Sequence, residues 1–362
     1  MVNKVRQQGL DIIGLMSGTS LDGLDICFTR FLLGDDGWHY QIIIAESLVY
    51  PSDIKEQLAT AQGMDALSFA RFHSDYGIYL GGCVRDFIDR HRIHPHLIAS
   101  HGHSIFHQPQ HRFTCQIGSG AGIAAVTGVD TISDFRTTDV ALYGQGAPLV
   151  PIGDRHLFGN YDYCLNLGGF SNISSEQKGV RLAYDICPVN YVLNHYARSM
   201  GKEYDHDGEM AQSGKISPEL LTELNGLSFY VQTGPKSLGR EWVEEVIIPM
   251  IDAYSITLND KLTTFCEHIA LQISRNIKGG KVLVTGGGAF NKYLLARMSA
   301  LSPQCTYHIP DAQTVNFKEA LIFAFLGALY VCNLPNCLSS VTGAKYDCIG
   351  GALYKGNLEI RK

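Results

Sequence analysis

Two short apolar runs in this chain are each turned back on themselves by small residues. The first run, 10–16, passes through Ile13-Gly14-Leu15-Met16-Ser17-Gly18-Thr19-Ser20-Leu21-Asp22-Gly23-Leu24-Asp25 into a second run, 24–33. The other is Leu165-Asn166-Leu167-Gly168-Gly169-Phe170-Ser171-Asn172-Ile173-Ser174. Both patterns predict a strand, a tight turn and a returning strand. Residues 42–49 read as a third strand, 52–91 as helical, and Leu97-Ile98-Ala99-Ser100 as a short buried strand. A short helix over 121–127 and a strand over 131–133 follow. Residues 134–149 turn polar and glycine-rich, as expected of a crossing between lobes that lines a cleft. The strand–turn–strand unit then repeats, with a third strand over 180–184 ending at Asp185. Helices are predicted over 189–199, 261–277, 293–301 and 317–332, and a buried strand over 281–284 is closed by Thr285-Gly286-Gly287-Gly288-Ala289-Phe290-Asn291. The expected organisation is α/β with two lobes: residues 1–140 together with the tail 335–362, and residues 141–334.

At 362 residues the chain is long enough for two cores. Hydrophobic residues at 45% against 18% charged fit a globular protein. A net charge of −6 without a Lys/Arg-rich run argues against nucleic acid or an anionic membrane as partner. The apolar stretch 320–332 is too short to span a bilayer and reads as a buried helix. Asp11 breaks the apolar run behind the basic N-terminus, which argues against a signal peptide. The ten cysteines have no CxxC spacing, which suits reduced thiols and a cytoplasmic location.

Glycine lets a backbone come close to a ligand, and short hydroxyl or amide side chains add donors. Two facing turns of this kind could hold a polyphosphate, which points to ATP. The Walker pattern GxxxxGK[ST] is absent. Gly118-Ser119-Gly120-Ala121-Gly122 offers a dinucleotide-type alternative, but its helix is short and the acidic residue comes too soon, at Asp134. His94, His96, His101, His103, His107 and His111 invite a metal reading, although Pro95 splits the first pair and no carboxylate is near in sequence. Asp205-x-Asp207-Gly208-Glu209 lacks the calcium-loop pattern, so a capping turn is its default reading. Asp185, at a strand end before Pro188, is the carboxylate placed for chemistry or, equally in kind, for helix capping. Arg136 offers a planar fork for a carboxylate or phosphate, or a surface ion pair.

Taken in order, these strings resemble the anhydro-N-acetylmuramic acid kinase family of the sugar kinase, heat-shock and actin superfamily. The resemblance also covers Ser100-His101-Gly102-His103-Ser104, Gly144-Gln145-Gly146-Ala147-Pro148-Leu149, Pro235-Lys236-Ser237-Leu238-Gly239-Arg240-Glu241 and Val341-Thr342-Gly343-Ala344. It implies a two-lobed actin-like, ribonuclease H-like fold with an interlobe active-site cleft, an ATP- and Mg²⁺-dependent sugar kinase, and a homodimer. Asp185 would be the general base that activates water, and Glu319 would position that water or the sugar. Gly18, Thr19, Ser20, Leu21, Asp22, Gly23, Leu24 and Asp25 would hold the ATP phosphates with Mg²⁺. Gly168, Gly169 and Asn172 would close over them, and Gly286, Gly287 and Gly288 would pack beneath the adenosine. Ser104, Arg136, Gln145 and Asn190 would contact the sugar, with Arg136 on its lactyl carboxylate. No protein-bound resident metal is implied.

The chain departs from the family where Asp185-Ile186-Cys187-Pro188-Val189-Asn190 replaces the usual Asp-Thr-Gly-Pro-Gly-Asn. It departs again at His103-Ser104, where Gln-Thr is usual, and at Tyr143, where a Gly is usual. Two competing readings follow: a kinase for another anhydro sugar or hexose derivative, and an ATP- or sugar-binding regulatory protein that has lost turnover.

Overall fold

The computed structural model describes residues 2–18, 21, 23–232 and 236–357. The chain divides into two compact units, Met1–Leu157 with Phe317–Lys362, and Phe158–Asn316. Residues 141–157 and 317–334 therefore fall in the first unit, although the sequence pattern assigns them to the second. The physical reason is packing. Helix Val150–Leu157 buries Ile152, and the Gly153 backbone lies against the Ile322 side chain.

In the first unit, β1 (Leu10–Ser17), β2 (Leu24–Gly34) and β3 (Gly37–Leu48) form an antiparallel meander. β4 (Leu97–Ser100) adds parallel to β1, and β5 (His103–Gln108) pairs with β6 (Phe113–Ile117) in a separate hairpin. β7 (Thr131–Ser133) adds parallel to β4, and an edge strand Ala352–Tyr354 completes the sheet. In the second unit, β8 (Tyr163–Leu167), β9 (Phe170–Gln177) and β10 (Val180–Pro188) repeat the meander. β11 (Gly280–Thr285) runs parallel to β8, and β12 (Cys305–His308) parallel to β11. The orders are β3-β2-β1-β4-β7 and β10-β9-β8-β11-β12. In both, the first strand of a hairpin meander is the central strand and the parallel strands add on its other side. One topology occurs twice, the actin-like and sugar-kinase plan that the two glycine turns predict.

Each unit has its own core. Ile13, Leu15, Ile26, Tyr76, Val84 and Phe87 anchor the first, and Leu165, Ile186, Phe265, Ile269, Val282 and Val284 the second. Residues 66–91 form one helix, started by Asp65, whose carboxylate accepts from the Leu67 and Ser68 N–H groups. The glycines of the dinucleotide-like string have a packing role instead: a Cβ on Gly122 would lie 3.0 Å from the Gly77 carbonyl carbon in this helix.

The last long helix is Ala312–Val331, five residues longer at its start than the apolar pattern predicts. Asp311 explains the difference, because its carboxylate accepts from the Thr314 N–H at 2.9 Å and the Thr314 hydroxyl at 2.8 Å. By length and composition this helix could cross a membrane, but 72% of its apolar window is buried in the protein, as befits a core helix.

Candidate functional site

In the first unit the site is built around a cation. Arg136 follows β7 and is half-buried. Its Nη1 donates to the Gly146 carbonyl at 2.7 Å, and Nε and Nη2 donate to His101 Nε2 at 3.2 and 2.9 Å. His101 Nδ1 lies 2.9 Å from the Gly102 carbonyl, so Nδ1 carries the proton and Nε2 the lone pair that Arg136 needs. Burial, reinforced by the Arg136 charge, holds the His101 pKa well below its ordinary value, so the ring stays neutral. Burial also lowers Arg136 to about 10, while Glu319 opposes that shift. Among the described residues no carboxylate lies within ion-pair distance of Arg136, although Glu319 and Asp139 act on its charge from farther away.

Glu319 lies in the Ala312–Val331 helix, and its side chain reaches solvent although protein surrounds it on most sides. Desolvation raises its pKa, Asp25 adds to the rise, and Arg136 and Lys318 oppose it. Asp25 opens β2 opposite Met16, and its Oδ1 accepts from the Ser47 hydroxyl at 2.5 Å. Within this unit Glu319 therefore feels the charges of both Asp25 and Arg136. Gln145 is exposed beside Gly146, with its N–H donating to the Thr342 carbonyl at 2.8 Å. Ser104 on β5 accepts from Gln116 Nε2 at 3.2 Å. Of the first turn, Gly18 accepts from the Leu21 N–H at 3.2 Å, and a Cβ on Gly23 would lie 2.4 Å from the Leu48 carbonyl oxygen. Thr19, Ser20 and Asp22 lie outside the described residues.

Behind this turn lies a buried network that sequence reasoning missed. Ser17 Oγ is 2.8 Å from His103 Nδ1 and accepts from the hydroxyls of Tyr50 at 2.6 Å and Tyr76 at 3.0 Å. Burial lowers His103 to about 4. These four residues are far apart in sequence, so no local pattern announces them.

In the second unit Asp185 is not at a strand end. β10 continues to Pro188 through a bulge between Asp185 and Cys187, and the next helix starts at Asn190. The cause is a second partner on the outer edge of β10. The Asp185 N–H donates to the Lys236 carbonyl at 2.9 Å, and the Leu238 N–H donates to Asp185 Oδ2 at 2.8 Å. Lys236 and Leu238, from a string informative in the sequence only as a family marker, thus hold Asp185, while Pro235 of that string lies outside the described residues. Burial raises the Asp185 pKa, opposed by the Leu238 N–H. Among the described residues its Oδ1 has no hydrogen-bond partner. A cavity of about 390 Å³ adjoins the loop, lined by Phe229, Gln232, Lys236, Ser237, Leu238 and Trp242 among others.

Asn172 stands directly across β9 from Asp185. Asn190 lies between the two remaining glycine turns. Its N–H donates to the Gly168 carbonyl at 3.2 Å and its side-chain amide to the Leu167 carbonyl at 3.0 Å. A Cβ on Gly287 would meet Asn190 Nδ2 at 3.5 Å. Gly286 has φ +79°, and a Cβ there would lie 2.9 Å from the Gly168 N and 2.5 Å from Asn166 Oδ1, so only glycine fits. The Gly288 position likewise abuts Leu167, at 2.8 Å. Gly168, Gly169, Asn190 and Gly286 to Gly288 thus form one cluster. The replaced family residues Ile186, Cys187 and Val189 are at most 1% exposed. The extra bulk enters the core, while the half-exposed Asp185 and Asn190 are kept.

Duplicated units of this strand order, each with its meander turn lined by glycine, define a protein of the actin-like and sugar-kinase class. The family model described as anhydro-N-acetylmuramic acid kinase matches residues 10–356. A protein of that name from Pseudomonas paraeruginosa is 36% identical over 368 residues, covering 94% of this chain and 98% of the relative. Another from Pasteurella multocida is 34% identical over 385 residues, covering 96% and 97%. The chain belongs to the anhydro-N-acetylmuramic acid kinase family. Among solved structures, component A of (R)-2-hydroxyglutaryl-CoA dehydratase from Acidaminococcus fermentans aligns over 87% of this chain and 96% of its own, with TM-score 0.44 and 11% identity.

Proposed function

We propose that this chain uses ATP to open 1,6-anhydro-N-acetylmuramic acid with water and to phosphorylate the freed O6, giving N-acetylmuramic acid 6-phosphate in cell-wall recycling. Water adds at the anomeric carbon, the bridging C–O6 bond breaks, and O6 accepts the γ-phosphoryl group as ADP leaves. The observation that carries the reading is Asp185. One carboxylate oxygen is fixed by the Leu238 N–H, the other is unclaimed among the described residues, and burial raises its basicity. Such a group takes the proton from the attacking water, which an anhydro bridge without a free hydroxyl requires.

Arg136, held flat by His101 and Gly146, suits the lactyl carboxylate, with Ser104 and Gln145 nearby in sequence to the same loops. Glu319 positions the water or the sugar. The cluster of Gly168, Gly169, Asn190 and Gly286 to Gly288 suits the nucleotide rather than the sugar, which moves Asn190 from its expected role. Asp25 is a hard oxygen ligand that fits Mg²⁺, an ion that would neutralise phosphate charge when bound. The chain's ten cysteines are free thiols, which supports a cytoplasmic location. The homodimer implied by the family is checked by light scattering.

The test is ADP release with ATP, Mg²⁺ and the anhydro sugar, beside a no-sugar blank and Asp185→Asn. Sugar-dependent ADP with a 6-phosphate product, reduced about 10²–10⁴-fold in the variant, supports the reading. ATP binding without sugar-dependent ADP would reject it.

A further inference from the structure

Cys337 and Cys348 face each other across an isolated antiparallel bridge in the first unit. The Cys337 N–H donates to the Cys348 carbonyl at 3.1 Å, and the Cys348 N–H to the Cys337 carbonyl at 3.2 Å. A pair of this kind has a Cα separation of about 5.5 Å, inside the range that a disulfide spans. The two sulfurs and a carboxylate oxygen of Asp139 all lie within 4.8 Å of one another. A three-ligand metal site is one reading of that cluster, but the Asp139 oxygens already serve the protein. Oδ1 accepts from the Thr342 hydroxyl at 2.7 Å and Oδ2 from the Gly146 N–H at 2.8 Å. This leaves the sulfurs as a pair.

We propose that Cys337 and Cys348 are a redox modification site, closing to a reversible disulfide by exchange with small disulfides of the oxidised glutathione class. Cys348 is the attacking thiol. It is 7% exposed against 1% for Cys337 and follows the exposed residues 345–347. The Cys337 thiol donates towards the Asn336 side-chain oxygen at 3.6 Å and the Phe135 carbonyl at 3.7 Å. The close approach of the two thiols lowers the Cys348 pKa and, with burial, raises that of Cys337. The Cys348 thiolate bonds to one sulfur of the small disulfide, releasing one thiol. The Cys337 thiolate then bonds to Cys348 Sγ and releases the second. Two protein thiols become one disulfide, the small disulfide becomes two thiols, and these carry away both protons. The bond would clamp residues 338–347, the segment whose Thr342 braces Asp139 and, through it, the Gly146 carbonyl partner of Arg136.

The test equilibrates the native full chain in glutathione buffers of stepped oxidation, blocks free thiols with a maleimide and maps the peptides. The expected result is one linked peptide pair, Cys337 with Cys348, reversed by dithiothreitol, with loss of two alkylatable thiols from ten. In Cys348→Ser, Cys337 should remain an alkylatable thiol. Alkylation of both sulfurs across the whole series, or a glutathione adduct that never resolves to the internal bond, would overturn the proposal. So would zinc bound to the purified protein and released by alkylating these two residues, or a cross-link from Cys337 in Cys348→Ser.

Discussion

Gly14→Ala tests whether the helix that carries Glu319 owes its position to a missing side chain. Gly14 sits in β1 between buried Ile13 and Leu15. A Cβ there would lie 1.9 Å from the Ala320 carbonyl oxygen and 2.8 Å from the Ala324 N. A comfortable carbon–oxygen contact is about 3.3 Å, so strand and helix would have to part by about 1.4 Å. Neither side can yield locally: the oxygen belongs to a helical backbone, and β1 is hydrogen-bonded to β2 and β4 on both edges. Overpacking of this kind costs about 3 kcal/mol. For a unit of about 200 residues that lowers the melting midpoint by about 6–12 °C. Because Ala320 follows Glu319, turnover with the anhydro sugar should fall as well.

Gly82→Ala is the matched control. Gly82 lies in helix Ala66–His91, and a Cβ there meets nothing within 4 Å. The same substitution should stabilise by about 0.5–1 kcal/mol, since alanine loses less backbone freedom on folding. Differential scanning fluorimetry reads both. A Gly14→Ala midpoint at or above the wild-type value would refute the packing argument.

Asp185 has its pKa raised above the ordinary 3.8, and a base acts only when deprotonated. The acid limb of kcat/KM should therefore fall off above the ordinary aspartate range, and Asp185→Asn should flatten it; a limb at or below 3.8 would contradict the assignment. Arg136→Lys keeps the charge but loses the fork. A lost charged hydrogen bond of about 1.5–3 kcal/mol predicts a KM for the sugar raised about 10–100-fold with a smaller change in kcat, and an unchanged KM would remove Arg136 from sugar binding. Glu319→Gln should lower turnover but raise the melting midpoint. A carboxylate whose folded pKa exceeds 4.5 holds its proton more tightly when folded, so its contribution to stability declines as pH rises from 4.5 through the folded value. Neutral Gln removes that decline, so the gain should be larger at about pH 7 than at about pH 4; an equal gain at both would show another cause.

Local chemistry made the strands, the glycine turns and the order of the motifs legible. The meander turns declare themselves because apolar runs and small residues are neighbours in sequence. Partners distant in sequence were not legible, and the candidate site depends on them. Asp185 was readable as a carboxylate of interest, yet its bulge depends on Lys236 and Leu238, which pair with the edge of β10 from some fifty positions away. Neither Arg136 nor His101 reveals from sequence that a neutral imidazole serves as the guanidinium's acceptor. The replacement of small family residues by Ile186, Cys187 and Val189 looked like a change to the site and is a change to the core. A strand alternates its faces, so bulk added beside a functional residue enters the site only if it falls on the same face. The bulge after Asp185 breaks that alternation, and no composition rule reveals a bulge. The chemistry of this chain is written in single residues, but their direction is set by hydrogen bonds from elsewhere in the fold.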